Sequence, residues 1–121
     1  MYRVETNTNN QRIAVRTQTG INVLNINTII YCKGEGRYTF IYLNNNKHIV
    51  VSKLLKDIEL VLPLDIFYRI HKSYLINLDY VKELNRLKEK TITLKDDTKL
   101  KLSCRRQPMF YKKLLTKVTM L

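Results

Sequence analysis

The stretch FYRIHKSYLIN, residues 67–77, carries the most specific pattern in this sequence. Its side chains alternate as they do along a β-strand, so the pattern predicts one strand across the whole stretch. A half-buried strand ordinarily keeps one face free of charge, but here Arg69 and His71 fall on one face and Lys72 on the other. We interpret the YLI run as core, and the basic residues before it as the outward end of the strand, carrying a loop that faces a ligand.

The net charge narrows the choice of partner. The chain has 121 residues and 45% hydrophobic content, which suits one folded domain. Lysine and arginine number 22 against 10 acidic residues, a formal net charge of +12. Near the carboxyl terminus no acidic residue separates Lys101, Arg105, Arg106, Lys112, Lys113 and Lys117. Such a field attracts polyanions, above all nucleic acid, with an anionic membrane surface or a merely solubilising lysine surface as alternatives.

Cysteine usage and hydropathy point to the cytoplasm. Cys32 and Cys104 match no metal or redox spacing, so we expect reduced thiols that pack as small core residues. The sequence has no apolar run long enough to span a bilayer and no signal-peptide pattern at its start. We therefore expect a cytoplasmic protein with no membrane partner.

Most of the chain predicts short antiparallel strands, and hence a mostly-β domain over residues 11–121. Residues 1–10 lack periodicity and are interpreted as a linker or a disordered amino terminus. Besides the opening stretch, strands are predicted at residues 12–17, 21–24, 28–32, 37–43, 48–51, 81–84, 91–94 and 99–102. The connections are a flexible polar loop at residues 33–36, turns at 44–46 and 96–97, and a loop at 85–90.

Two short helices are expected. The first covers residues 52–62, with Ser52 as its cap and Pro63 ending it. Its apolar stripe would consist of Leu54, Leu55, Ile58 and Leu62. Ser103 would cap the second, which would run to about Lys117 and become regular near Pro108. The apolar side of that helix would consist of Met109, Phe110, Leu114 and Val118.

No catalytic or metal-binding motif stands out in the sequence. His48 and His71 belong to no metal-ligand pattern, and no nucleophile elbow or phosphate-binding glycine loop is present. We therefore expect a protein that is not an enzyme and holds neither a metal nor another cofactor.

Three basic clusters carry the remaining chemistry. Residues 34–39 combine a glycine loop with Arg37, although an ordinary hairpin explains them equally well. In residues 69–74, Arg69 is either a ligand-side group or the ion-pair partner of Asp65, and His71 is either exposed or a satisfied core histidine. Lys72 has no such structural explanation, and Asn77 is expected to bond to backbone in the turn with Asp79.

The third cluster, residues 101–106, breaks a helix rule. Arg105 and Arg106 lie in the first turn after Ser103, where positive charge opposes the helix dipole by roughly 0.3–1 kcal/mol per charge. A bound phosphate would reverse that sign, because the amides, the dipole and the arginines would all favour it. This violation is the strongest local indication of an anion site.

These residues together resemble the LytTR DNA-binding domain of bacterial response regulators. The central signature of that family is an aromatic-x-Arg-x-His-x-Ser pattern that ends in two apolar residues and Asn. Its counterparts here are Phe67, Arg69, His71, Ser73 and Asn77. The late motif, an apolar residue and Ser before a basic run, is matched by Leu102, Ser103, Arg105 and Arg106. The resemblance spans residues 12–117.

The resemblance implies an elongated fold of about ten short antiparallel strands with one or two short helices, and loops that read successive major grooves of promoter repeats. It implies base contacts from Arg37, Lys72 and Arg105. It implies backbone contacts from Tyr38, Ser52, Lys53, Ser73, Ser103 and Arg106. The orienting or structural residues would be Arg69, His71 and Asn77.

The same resemblance implies partners. They are double-stranded DNA, a second copy of the chain on the same DNA, and a phosphate-accepting receiver domain that this sequence does not contain. The alternative function is an interaction module that binds anions or membrane surfaces through the same basic faces without reading bases. A nuclease or another enzyme is the third, and this sequence lacks the clustered carboxylate site that it would need.

Overall fold

A computed structural model describes residues 11–87 and 90–121 of the chain. The predicted linker at residues 1–10 and part of the predicted loop at 85–90 lie outside the described residues. Within the described residues, no helix is both long enough and apolar enough to cross a membrane.

The described chain is mostly β-structure, as the sequence predicts, with ten strands and two α-helices. The strands are β1 (Arg12–Thr17), β2 (Gly20–Asn25), β3 (Ile29–Glu35), β4 (Tyr38–Leu43), β5 (His48–Val51), β6 (Phe67–His71), β7 (Tyr74–Asn77), β8 (Val81–Asn85), β9 (Thr91–Leu94) and β10 (Lys99–Lys101). The helices are α1 (Leu55–Val61) and α2 (Gln107–Leu115).

All strand pairs are antiparallel and form three sheets. The central sheet has five strands in the order β5-β4-β3-β7-β6. The β1-β2 hairpin is a separate two-stranded sheet, and the third sheet has the order β10-β9-β8. Most pairs are hairpin neighbours in sequence, which short connections favour. The β3-β7 pair is the long-range connection that closes the central sheet.

The opening stretch is not one strand but a hairpin. β6 and β7 pair with each other across a tight turn at residues 72–73, with Phe67 opposite Asn77 and Tyr68 opposite Ile76. β7 lies between β3 and β6, and three of its four residues are buried. The alternating pattern passes through the turn without interruption, which is why it imitates a single strand.

Two apolar clusters cover the two faces of the central sheet. On one face, Cys32 lies opposite both Ile41 and Leu75, and this side packs against α1 and the β1-β2 hairpin. On the other face, Ile76 lies opposite Tyr31 and packs with the third sheet and α2. Each fully buried aliphatic side chain contributes roughly 1.5–3 kcal/mol. The central sheet is therefore held rigidly from both sides.

The predicted helix start at Ser52 is wrong. α1 begins at Leu55 with Leu54 in the capping position, so Ser52 lies outside the helix. The Thr39 hydroxyl donates to the Lys53 carbonyl at 2.7 Å, which ties residues 52–54 to β4 as a link instead of a first turn. Of the predicted stripe, Leu55, Ile58 and Leu62 are buried, whereas Leu54 is exposed.

The second helix also starts later than Ser103. A 3-10 turn, Cys104–Arg106, follows Ser103, whose side chain makes no capping hydrogen bond. α2 then begins at Gln107 with Pro108 in its first turn, as the missing proline N–H allows. Phe110 is buried and Leu114 packs against the second cluster, but Met109 and Val118 are exposed.

Two smaller expectations need correction. The predicted flexible loop at residues 33–36 is mostly strand, because β3 runs to Glu35 and the turn consists of Gly36 and Arg37. Gly36 has φ +59°, a conformation that suits glycine. Cys32 is buried as expected, and burial raises the pKa of its thiol to about 12. Cys104 is exposed and is not a core residue.

Candidate nucleic-acid interface

One end of the central sheet collects the basic clusters. β3, β5 and β6 all end there and β4 and β7 begin there, since Glu35 lies opposite Tyr38, and Thr39 lies opposite Val51. The connections at this end are residues 36–37, 52–54 and 72–73. Together with residues 103–106 they form what we call the basic end.

Residues 103–106 reach the basic end through contacts with β6. The Ser103 amide donates to the Ile70 carbonyl at 2.8 Å. Arg106 is half-buried, and its Nη1 donates to the Arg69 carbonyl at 3.3 Å. The Tyr68 hydroxyl donates to the Arg106 carbonyl, also at 3.3 Å. These bonds dock the segment before α2 against the edge of the sheet.

The turn at residues 72–73 is held by hydrogen bonds from several directions. The Gly34 amide donates to the Ser73 carbonyl at 2.9 Å, which joins the turn to β3. The Arg69 side chain folds back over the turn, with Nε donating to the His71 carbonyl at 3.0 Å and Nη2 donating to the Lys72 carbonyl. Hence the backbone that carries the Lys72 side chain is fixed on both sides.

The ion-pair partner of Arg69 is Glu59 on α1, not Asp65. Arg69 Nη1 lies 2.9 Å from Glu59 Oε1. Asp65 is exposed in the connection between α1 and β6, whereas α1 presents Glu59 directly to β6. Arg69 is thus committed to contacts within the domain.

His71 takes part in the same turn. Its Nδ1 accepts a hydrogen bond from the Ser73 amide at 3.1 Å, and its ring centroid lies 5.3 Å from that of Tyr74. Burial lowers the pKa of His71, and several neighbouring cations add to the effect. These cations are Lys72, Lys101, Arg69 and Arg106. The neutral ring is therefore the favoured form, which is the form that can accept from Ser73.

Asn77 lies at the far end of β7, away from the basic end. It is buried, and its amide donates to the Ile29 carbonyl at 2.9 Å while its oxygen accepts from the Asp79 amide at 2.9 Å. The predicted bond with the turn at Asp79 is confirmed. The role of Asn77 is to join β7 to β3 and to the start of the third sheet.

Four cations at the basic end are exposed and have no carboxylate partner in the described part of the chain. They are Arg37, Lys53, Lys72 and Arg105. Around them lie the polar groups expected to contact the DNA backbone: Tyr38 and Ser52 are exposed, and Ser73 and Ser103 are half-buried. The fold thus brings together the three clusters that are separated in the sequence. The resulting surface is positively charged, as binding to the phosphate backbone of a nucleic acid requires.

Lys101 and Glu59 lie beside the basic end. The sequence reasoning included Lys101 in the third cluster without assigning it a contact, and it missed Glu59. Lys101 is exposed at the end of β10 and contributes to the lowered pKa of His71. Its position between Leu100 and Leu102, both buried, is a signal that would have placed it outward. Glu59 gave no such signal, because only the packing of α1 brings it to Arg69. Among the described residues, no group of histidine, cysteine or acidic residues could hold a metal ion.

Comparison with known families agrees with the geometry. A family model described as "LytTr DNA-binding domain" matches residues 19–115. A solved structure, the LytTr DNA-binding domain of a putative methyl-accepting/DNA response regulator from Bacillus cereus, has a TM-score of 0.72 and covers 85% of this chain and 95% of that one. Its 18% identity makes this a likeness of fold.

Curated relatives match most of this chain but only a minor part of their own length. The chain is 32% identical over 87 residues to the heme-containing CO-sensing transcriptional regulator RcoM 1 of Paraburkholderia xenovorans, covering 71% of this chain and 32% of the relative. It is 34% identical over 73 residues to the sensory transduction protein LytT of Oceanobacillus iheyensis, covering 60% of this chain and 30% of the relative. The chain therefore spans about a third of the length of these relatives.

Proposed function

The chain belongs to the LytTR family of DNA-binding domains, and from this premise we propose that its basic end recognises specific promoter sequences in double-stranded DNA. The observation that supports this most is the convergence of Arg37, Lys53, Lys72 and Arg105 on one end of one sheet. The family has a non-enzymatic, DNA-binding fold. Regulation of transcription is the function stated in the name of the relative RcoM 1.

We propose that the turns at the basic end enter successive major grooves of the DNA. Arg37, Lys72 and Arg105 would contact base edges, where a guanine offers two acceptors to a basic side chain. The support is that all three side chains are exposed. Arg37 and Lys72 each lie in a two-residue turn, at residues 36–37 and 72–73. A tight turn is narrow enough to enter a groove about 12 Å wide.

We propose that a second set of side chains positions the domain on the phosphates. This set consists of Tyr38, Ser52, Lys53, Ser73, Ser103 and Arg106. Hydroxyl and cationic groups are the usual donors to phosphate oxygens, and such contacts fix orientation without reading sequence. Arg69 and His71 would orient these groups from within the domain through their hydrogen bonds in the turn, whereas Asn77 would be structural.

We propose further that two copies bind repeated sites on one DNA in the cytoplasm. A receiver domain would supply the signal that controls binding. The support is that relatives named for regulation and sensory transduction are about three times as long as the matched segment. The parts of those proteins that this chain does not resemble are long enough to hold such a domain.

The test of this function begins with selection of bound sequences from a random duplex library. The selected duplex should bind far more tightly than random duplex, and a large excess of random duplex should not displace the protein from it. A module that binds anions or membrane surfaces without reading bases would select no sequence and would be displaced. That result would overturn the proposal.

Arg105→Ala tests the assignment of base contacts. The variant should lose about 1–3 kcal/mol of affinity for the selected duplex and lose preference at one base pair. The matched control is Arg12→Ala, because Arg12 is exposed at the start of β1, away from the basic end, and carries the same charge. If Arg105→Ala retained the full base preference, residues 103–106 would not be a reading segment.

A further inference from the structure

We propose that Glu59, which lies on α1 and outside the basic end, is a positioning residue for base recognition. Glu59 would act by holding the Arg69 side chain over the turn that carries Lys72. The inference rests on the proposed function, since it assigns Lys72 to a base edge.

Arg69 is the centre of the arrangement. Its guanidinium donates to the carbonyls of His71 and Lys72 and to Oε1 of Glu59. The planar fork of an arginine suits this combination, whereas a lysine ammonium cannot reproduce its geometry. The two carbonyls are neutral, so Glu59 supplies the only negative charge in direct contact with this guanidinium among the described residues.

The surroundings of Arg69 are otherwise positive. Lys72, Lys101 and Arg106 lie close enough, with Arg69 itself, to lower the pKa of His71. The side chain of Arg69 is 15% exposed and that of Glu59 is 34% exposed, so water screens the pair only in part. Without Glu59, repulsion from the neighbouring cations would favour turning the guanidinium out to solvent, and both carbonyls of the turn would lose their donor.

The consequence extends to two segments of the basic end. The turn at residues 72–73 would keep the bond that the Gly34 amide donates to the Ser73 carbonyl and the bond that the Ser73 amide donates to His71 Nδ1. The carbonyl of Arg69 also accepts from Arg106, so a shift of β6 at this point would move residues 103–106 as well. Base contacts depend on position within a fraction of an ångström, whereas contacts with a phosphate chain tolerate displacement.

This role predicts a sign opposite to that of simple electrostatics. Removing any carboxylate from a protein that binds DNA should strengthen binding, because it raises the net charge above +12. Removing Glu59 should instead weaken binding to the selected sequence. Glu35 offers the matched control, because it lies next to the basic end and its side chain is 64% exposed. Among the described residues its one ion-pair partner is Lys33, at 3.7 Å.

The experiment compares Glu59→Ala with Glu35→Ala on the selected duplex and on random duplex of equal length. Glu59→Ala should lose about tenfold in affinity for the selected duplex, equivalent to roughly 1.4 kcal/mol, and should bind random duplex as well as the wild type or better. Glu35→Ala should bind both duplexes more tightly, by roughly twofold. Equal tightening by both variants, or equal weakening of both duplexes by Glu59→Ala, would overturn the inference.

Two further measurements distinguish positioning from loss of folding. Amide hydrogen exchange in the free protein should accelerate at Gly34 and Ser73 in Glu59→Ala and remain unchanged in Glu35→Ala, at matched global stability. In a double-mutant cycle, Glu59→Ala should cost little more once Arg69→Lys is present. Unchanged exchange rates at both amides would refute the positioning role, regardless of the affinities measured for the two duplexes. A wild type that does not discriminate between duplexes would refute the proposed function instead.

Discussion

Lys53→Ala separates contacts with phosphate from contacts with bases. Lys53 lies in the link between β5 and α1, and its carbonyl accepts a 2.7 Å hydrogen bond from the buried Thr39. That bond holds the backbone of Lys53 at the basic end, while its side chain is exposed. The side chain is therefore presented to the DNA from a rigid support, and its removal leaves the backbone bond in place.

The expected magnitude follows from counterion release. Each neutralised phosphate contributes about 0.9 to the slope of log affinity against log salt concentration. Lys53→Ala should thus lower the slope by roughly one unit, and its deficit relative to wild type should shrink about 3.5-fold between about 50 mM and 200 mM salt. Selected and random duplexes should lose the same factor, because a phosphate contact carries no sequence information.

The assay is a salt titration of affinity for both duplexes, by fluorescence anisotropy. The matched control is Lys47→Ala, because Lys47 is exposed at the β4-β5 turn, at the opposite end of the central sheet. An unchanged slope in Lys53→Ala would refute the phosphate contact. An equal change in Lys47→Ala would show that net charge, and not the basic end, determines the slope.

The remaining predictions concern stability. Asn77→Ala should cost about 2–3 kcal/mol in urea unfolding, because it leaves the buried Ile29 carbonyl without a donor and the Asp79 amide without its acceptor; a loss below about 0.5 kcal/mol would contradict this, since that is the range of surface substitutions. Because the folded-state pKa of His71 lies below the ordinary 6.5, its contribution to stability is complete above about pH 6.5 and is lost as pH falls through the folded-state pKa. His71→Asn keeps an acceptor for the Ser73 amide but cannot titrate. When the pH is lowered from about 7.5 to about 5, the urea midpoint of this variant should therefore fall less than that of the wild type.

The strands were predictable because their signals are local. Alternation of apolar and polar residues identified the β1-β2 hairpin, β4 and β8 to β10 to within a few residues. The Asn-rich turn was predictable for the same reason, since Asn46 adopts φ +67°. The basic clusters were likewise visible as short runs in the chain.

The hairpin within residues 67–77 was not predictable by the same signals. Its turn, Lys72 and Ser73, contains neither the glycine nor the asparagine that usually marks a two-residue turn. Instead the turn is stabilised by groups from outside it, namely the Arg69 side chain and the Gly34 amide. The Gly34 contact depends on β3, which is distant in sequence, and the Arg69 side chain is held in place by Glu59 on α1. The chain therefore turns where local chemistry alone would have continued the strand.

The positive charge, the short strands and the supply of basic residues for a polyanion all follow from local features of the sequence. Which of those residues meet, and which remain available to bind, depends on how the strands and helices pack. Antiparallel registry brings residues 36–37, 52–54 and 72–73 to one end of the sheet, and docking on β6 adds residues 103–106. The packing of α1 then pairs Arg69 with Glu59 and withdraws it from the surface, while Lys72 stays exposed beside it. Charge is a property of single residues, whereas its availability for binding depends on which carboxylates and carbonyls the fold places nearby.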